Sequence, residues 1–288
     1  MKLGVFTPLF ANLSLEEMLD KVKAAGLDAV EIGTGGNPGN HHCPISPNKE
    51  EAAASDEILR KSIKLASLMN VPVVNTFSGT AGDSDDAKAP NWPVIPWPTV
   101  YSDIKTWQWE TKLIPYWKEI GELAAASGVK IGIELHGGFL CHTPYTILKL
   151  REETNDSIGV NLDPSHLWWQ GIDPVGAIKI LGKAGAIHHF HAKDTYLDQD
   201  NINMYGLTDM QPYGDVQTRS WTFRSVGCGH SLTEWSDIMS ALRTYGYDYV
   251  VSIEHEDPLM SIDEGFDRAV TNLQSILIKD KPLDMWWA

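Results

Sequence analysis

Cysteine is scarce in this chain: Cys43, Cys141 and Cys228 are three, an odd number with no CxxC spacing. That excludes a disulfide framework and a structural zinc ribbon, and it fits a reducing compartment. Basic residues are short as well, 23 Lys plus Arg against 38 Asp plus Glu, for a formal charge of −15. A surface of that sign repels phosphate backbones and anionic membranes, so neither nucleic acid nor membrane is an expected partner. No apolar run approaches the ~20 residues of a membrane span. The opening Met1-Lys2-Leu3-Gly4-Val5-Phe6-Thr7-Pro8 has none of the regions of a signal peptide, and a cytoplasmic location is expected. The first strand-to-helix turn has no GxGxxG, which disfavours a doubly wound dinucleotide fold. Low-complexity tracts and interdomain linkers are also missing.

What is present is a regular alternation of apolar strands and helices over 288 residues, 43% of them hydrophobic. A (β/α)8 TIM barrel of about 250 residues accommodates that length as one domain, 1–288. Strands are expected at 3–6, 28–32 and 71–76, with a short one near His41–Ile45 after the glycines Gly33, Gly35, Gly36 and Gly39. Ser14 with Glu17 makes a capping box for a helix that Gly26 ends. Further helices are expected at Glu57–Met69, at Asp103–Ser127 with Gly128 closing it, and at about 143–154, 173–184, 231–245 and 262–277. Two connections are long, about 78–101 and 192–230. The second exceeds an ordinary βα loop and reads as a lid or a dimer arm.

Four further strand-like runs each end in a residue that binds hard metal ions. They are Val129-Lys130-Ile131-Gly132-Ile133-Glu134, Ile158-Gly159-Val160-Asn161-Leu162-Asp163, Ala186-Ile187-His188-His189-Phe190-His191 and Tyr249-Val250-Val251-Ser252-Ile253-Glu254. With 41–45 counted, the strands number eight, as a closed barrel needs. Parallel strands alternating with helices present their C-terminal ends on one face, so these four side chains are expected to converge. Buried unpaired carboxylates are expensive, so a divalent ion is expected among them. Three carboxylates and one imidazole suit Mn2+ first, with Mg2+, Co2+ and Zn2+ as alternatives.

Ile133-Glu134-Leu135-His136, Asp163-Pro164-Ser165-His166, His189-Phe190-His191-Ala192-Lys193-Asp194, Ser252-Ile253-Glu254-His255-Glu256 and Val226-Gly227-Cys228-Gly229-His230 together carry a resemblance. The chain resembles the xylose isomerase-like superfamily of TIM barrels, in its sugar phosphate isomerase/epimerase branch. The resemblance covers nearly the whole chain and names no substrate. It implies that Glu134, Asp163, His191 and Glu254 bind the metal, and that Glu134 and Glu254 act as base and acid. Glu134 would remove a proton next to a carbonyl, through a metal-stabilised enediolate, and Glu254 would return one on the opposite face. His166 would hydrogen-bond a substrate oxygen, unless it serves as a helix cap or supports one of the ligands from behind.

The remaining candidates have two readings each. His136, two residues past Glu134, points to the same side if the strand continues, as a second base or a substrate ligand. Lys193 is expected to hold a substrate oxygen or to pair with Asp194. Of His188 and His189, one should face the helices. Arg224 would grip a hydroxyl or phosphate, or pair with a surface acid. Trp92, Trp97, Trp107 and Trp109 would pack on sugar C–H faces, Trp107 among the substrate contacts, or anchor a second subunit in a homo-oligomer. The apolar tail from Asp284 to Ala288 is expected to dock on the barrel or a partner.

The expected function is isomerisation or epimerisation of a small sugar, keto-sugar or keto-inositol. A lyase or dehydratase acting on a keto-inositol or 3-keto-glycoside would use the same site, because the two reactions diverge after a shared intermediate. A non-catalytic sugar-binding barrel is the third reading. A DNA-repair phosphodiesterase is disfavoured by the acidic charge and the single-ion ligand count.

Overall fold

Each apolar run that ends in a candidate ligand is a strand in the computed structural model, which describes residues 1–34, 43–280, 285 and 287. The strands are β1 (Lys2–Phe6), β2 (Ala29–Glu31), β3 (Val73–Phe77), β4 (Lys130–Glu134), β5 (Ile158–Leu162), β6 (Ile187–Ala192), β7 (Asp194–Leu197), β8 (Trp221–Arg224) and β9 (Val250–Ile253). The chain divides into two compact units, Met1–Ile32 with His191–Ala288, and Gly33–Phe190. Among the described residues no helix is long and apolar enough to cross a membrane.

In the unit formed by the two ends of the chain, β1 lies between β2 and β9, parallel to both. Leu3, Val5, Val251 and Ile253 are fully buried, and each contributes about 1.5–3 kcal/mol of apolar burial. The Ser14–Glu17 capping box forms, and the helix Leu15–Ala24 stops before Gly26, whose φ is +74°. The helix Ile262–Ile276 buries Phe266, Ala269, Val270 and Leu273, the spacing of a single apolar face. The long connection is built around the antiparallel pair β7–β8. Its interior is pinned by Arg219, whose guanidinium lies 4.3 Å from the ring centres of both Tyr213 and Trp221.

In the Gly33–Phe190 unit the order is β3-β4-β5-β6, all parallel. Apart from the exposed Lys130, β4 and β5 are buried on both faces, as central parallel strands are. The pairing of β5 with β6 slips by one residue: Val160 faces Ile187, whereas Asn161 faces His189. His188 is the extra residue of this bulge. Gly159 makes room for its ring, since a Cβ there would fall 2.5 Å from both the His188 imidazole and the Ala186 carbonyl.

Several expected elements differ in extent. The helix ending at Met69 begins at Lys49, because Asn48 accepts from the N–H groups of Glu50 and Glu51 and caps it there. The expected Asp103–Ser127 helix begins at Val100 and is interrupted by a wider π turn over Gln108–Leu113. Pro115 has no N–H to donate, and the register widens just before it. Near 41–45, His41 and His42 lie outside the described residues, while Cys43–Ile45 form a turn closed by Ser46 N–H onto the Cys43 carbonyl. Pro44 could not donate to a ladder there. The tail from Asp284 falls outside the described residues except for Met285 and Trp287.

Candidate active site

Glu134 ends β4 directly opposite Asn161 of β5. The Asn161 amide donates to Glu134 Oε2 at 3.0 Å, and its carbonyl oxygen lies 3.0 Å from His189 Nδ1. An amide oxygen only accepts, so His189 carries its proton on Nδ1. Asp163 follows β5 and caps the short helix Pro164–Trp168 by accepting from Ser165 N–H at 2.8 Å. The cap is therefore Asp163 and not His166.

One turn on, His166 is buried, with Nε2 3.1 Å from Glu134 Oε1 and 3.4 Å from Asp163 Oδ2. Trp169 Nε1–H points at His166 Nδ1 from 3.4 Å. That donor leaves Nδ1 as acceptor and Nε2–H as the group facing the two carboxylates. Ligand atoms of Glu134 and Asp163 lie within 4.8 Å of each other. β4 stops at Glu134, so His136 is placed by a turn; its ring centre lies 4.0 Å from that of His166 with the planes tilted by 50°, and its Nδ1 contacts the Gly137 carbonyl.

The other two candidate ligands meet in the unit formed by the chain ends. His191 Nδ1 is 2.9 Å from Glu254 Oε2, and its Nε2 is 2.9 Å from Glu31 Oε2. Lys193, 2% exposed, reaches Glu254 Oε2 at 3.1 Å and Glu256 Oε2 at 2.9 Å, with its ammonium 4.6 Å from the Phe223 ring centre. The expected pairing of Lys193 with Asp194 does not form. Asp194 is fully buried and instead accepts from the N–H groups of Thr195, Gly227, Gly229 and His230, and from the His230 and Trp235 rings. It shapes the Val226–His230 turn.

Arg224 Nε donates to Asp257 Oδ2 at 2.9 Å, and Ser225 N–H donates to the same oxygen. Its guanidinium thus ties β8 to the turn after β9. Trp107 is half-buried on the helix Val100–Trp107, with the Lys112 ammonium 5.2 Å from its ring centre. Trp92 sits edge-on to His142, and Trp109 lies under the Lys149 ammonium. Of the paired histidines, His188 faces away from the ligands: its Nδ1 contacts the Ile131 carbonyl at 2.9 Å, and burial pushes its pKa down to about 4.

Glu31, Asn161 and Glu256 are three further polar residues of the site that the strand-end pattern does not pick out. Glu31 is an acid within the expected strand 28–32, but Ile32 follows it, so it does not read as a strand end. Asn161 was signalled only by being polar inside a fully buried strand.

The chain belongs to the xylose isomerase-like TIM barrel family, whose model matches residues 6–275, and the (β/α)8 fold expected from the sequence is the fold of that family. YfiH, an uncharacterized protein of Bacillus subtilis (strain 168), is 33% identical over 314 aligned positions, which cover 96% of this chain and 99% of YfiH. A D-tagatose 3-epimerase-like protein of known crystal structure is 21% identical with a TM-score of 0.62, covering 96% of this chain and 98% of its own. The IOLI protein, solved with a binding zinc atom, is 16% identical with a TM-score of 0.65, again over 96% and 98% of the two chains. Likeness at these last two identities is a likeness of fold.

Proposed function

We propose that this protein is a divalent-metal-dependent isomerase or epimerase of a small sugar, keto-sugar or keto-inositol, built as one barrel domain over residues 1–288. Glu134, Asp163, His191 and Glu254 would together hold the ion. The observation that carries this reading is the burial of the four side chains: none is more than 16% exposed, and three carboxylates so little solvated favour a divalent cation beside them. Three carboxylates and one imidazole suit Mn2+, Mg2+, Co2+ or Zn2+. When bound, the ion supplies positive charge beside a substrate carbonyl and so favours loss of the adjacent proton.

The chain's own residues do the rest. Glu134 accepts the proton next to the carbonyl, its carboxylate kept in place by Asn161 on one oxygen and His166 on the other. Glu254 returns a proton on the opposite face, steadied by Lys193. His136 and His166 present two neighbouring imidazoles, tilted by 50°, suited to hydroxyl groups of a polyol. That same pair favours the lyase as second reading, since His136 or His166 in its imidazolium form would give a proton to a leaving group and return to neutral imidazole. The charge of −15 fits a small neutral carbohydrate and a cytoplasmic setting better than a polyanionic partner.

Reconstitution with each of the four ions followed by metal analysis tests the site, and failure to retain any of them ends this reading. Glu254→Gln should abolish solvent deuterium incorporation into substrate while the fold persists. A panel of ketoses, inososes and 3-keto-glycosides followed by mass separates the reactions: unchanged mass with altered stereochemistry supports the isomerase, and loss of water or aglycone the lyase.

A further inference from the structure

The His191 imidazole is held between two carboxylates from opposite edges of its ring. Nδ1 faces Glu254, a proposed ligand, and Nε2 faces Glu31, which ends a different strand. Glu31 and His191 are 14% and 4% exposed, so water competes little for either group. The Phe6 ring, 5.6 Å away, adds an apolar side to the imidazole. β1 sets the reach of Glu31, because Phe6 and Glu31 are register partners.

A neutral imidazole has one N–H and one lone pair, and the group beside one nitrogen decides the role of the other. Both carboxylates accept and neither donates, and the neutral ring has one N–H for the two of them; once Nδ1 serves an ion beside Glu254, that proton sits on Nε2, where Glu31 accepts it. Resting on the metal reading above, we infer that Glu31 is a positioning residue: it selects Nδ1 of His191 as the metal-ligating atom and holds the ring in that orientation. A carboxylate in this role raises the basicity of the ligand as well as aiming it. Glu31 itself contributes no bond to the ion.

Ion-free wild type, Glu31→Ala and Glu31→Gln are titrated with Zn2+ against a chromophoric chelator, with circular dichroism confirming the fold. Affinity should fall about 10–100-fold in Glu31→Ala, the usual cost of losing an outer partner of a ligating histidine. Glu31→Gln should recover part of it, since the amide oxygen still accepts from Nε2–H. In histidine-labelled protein loaded with 113Cd, the cadmium coupling should appear on Nδ1 of His191, in wild type and in Glu31→Gln alike.

Wild-type affinity in Glu31→Ala, or coupling on Nε2, overturns the inference and leaves the metal site intact. Complete loss of binding in both variants would make Glu31 a ligand, which also overturns it. A wild type that takes no ion removes the metal reading and this inference with it. Should Glu31→Ala fail to fold, the isosteric Glu31→Gln and its coupling pattern decide.

Discussion

The Lys193 ammonium stands 3.1 Å from Glu254 Oε2 with 2% of its side chain exposed. A buried ammonium is tolerated only when paired, and Glu256 supplies a second carboxylate at 2.9 Å. Lys193 is thereby tied to the proposed acid of the site.

Lys193→Met should cost about 3 kcal/mol in urea unfolding, because it keeps the stem but leaves Glu254 without its cation. Glu256 is 51% exposed and solvated, so it adds little to that figure. An unchanged midpoint would show that the aliphatic stem over Phe223, and not the charge, holds this side chain.

Asp194→Asn should destabilise by about 3 kcal/mol, since an amide nitrogen would face N–H donors where a carboxylate oxygen accepts them now. The loss should appear as faster hydrogen exchange at Gly227, Gly229 and His230, whose N–H groups it holds. Exchange confined to other segments would contradict this role.

Acid should weaken the fold through His188. Its native pKa is lowered to about 4 by burial, and its Nε2 has no partner to receive a proton. The unfolded chain titrates near 6.5 and takes up a proton that the native state refuses. Stability from this group is therefore complete above about pH 6.5 and is lost as pH falls toward 4, amounting to about 3 kcal/mol. His142 and His255, both lowered by burial, add slope of the same sign. Unfolding midpoints of His188→Gln between pH 4 and 7 should vary less than those of wild type; an equal slope would clear His188 of this role.

Asn161→Leu preserves volume but removes the donor to Glu134 Oε2 and the acceptor for His189 Nδ1. Solvent deuterium exchange into substrate should slow by about 10–100-fold with the fold intact, the scale seen for outer partners of metal-site residues. Exchange at the wild-type rate would free Glu134 from dependence on this amide.

Much of this was legible along the chain. The capping boxes of Ser14 with Glu17 and of Ser231 with Glu234 form from residues three apart. The strand-end acids follow from apolar runs a few residues long. Glu31 was visible as an acid within the expected strand 28–32 but not as its end, because Ile32 follows it; β2 closes at Glu31 itself. Arg224 and Asp194 were legible as charged residues but not as partners of Asp257 and of the 227–230 turn, since those groups lie 33 or more residues away.

The amino-acid sequence by itself determined the alternation of strand and helix and the chemical type of each strand end, because these depend on periodicity and capping within one or two turns of chain. Only the tertiary structure decided which histidine of the His188-His189 pair turns toward Asn161. A one-residue bulge against β5 makes that choice, and pairing register is a property of two strands. The same holds for Lys193 and Glu31: their positions near strand ends were visible in one dimension, but their partners, Glu254 and His191, are supplied by segments 61 and 160 residues distant.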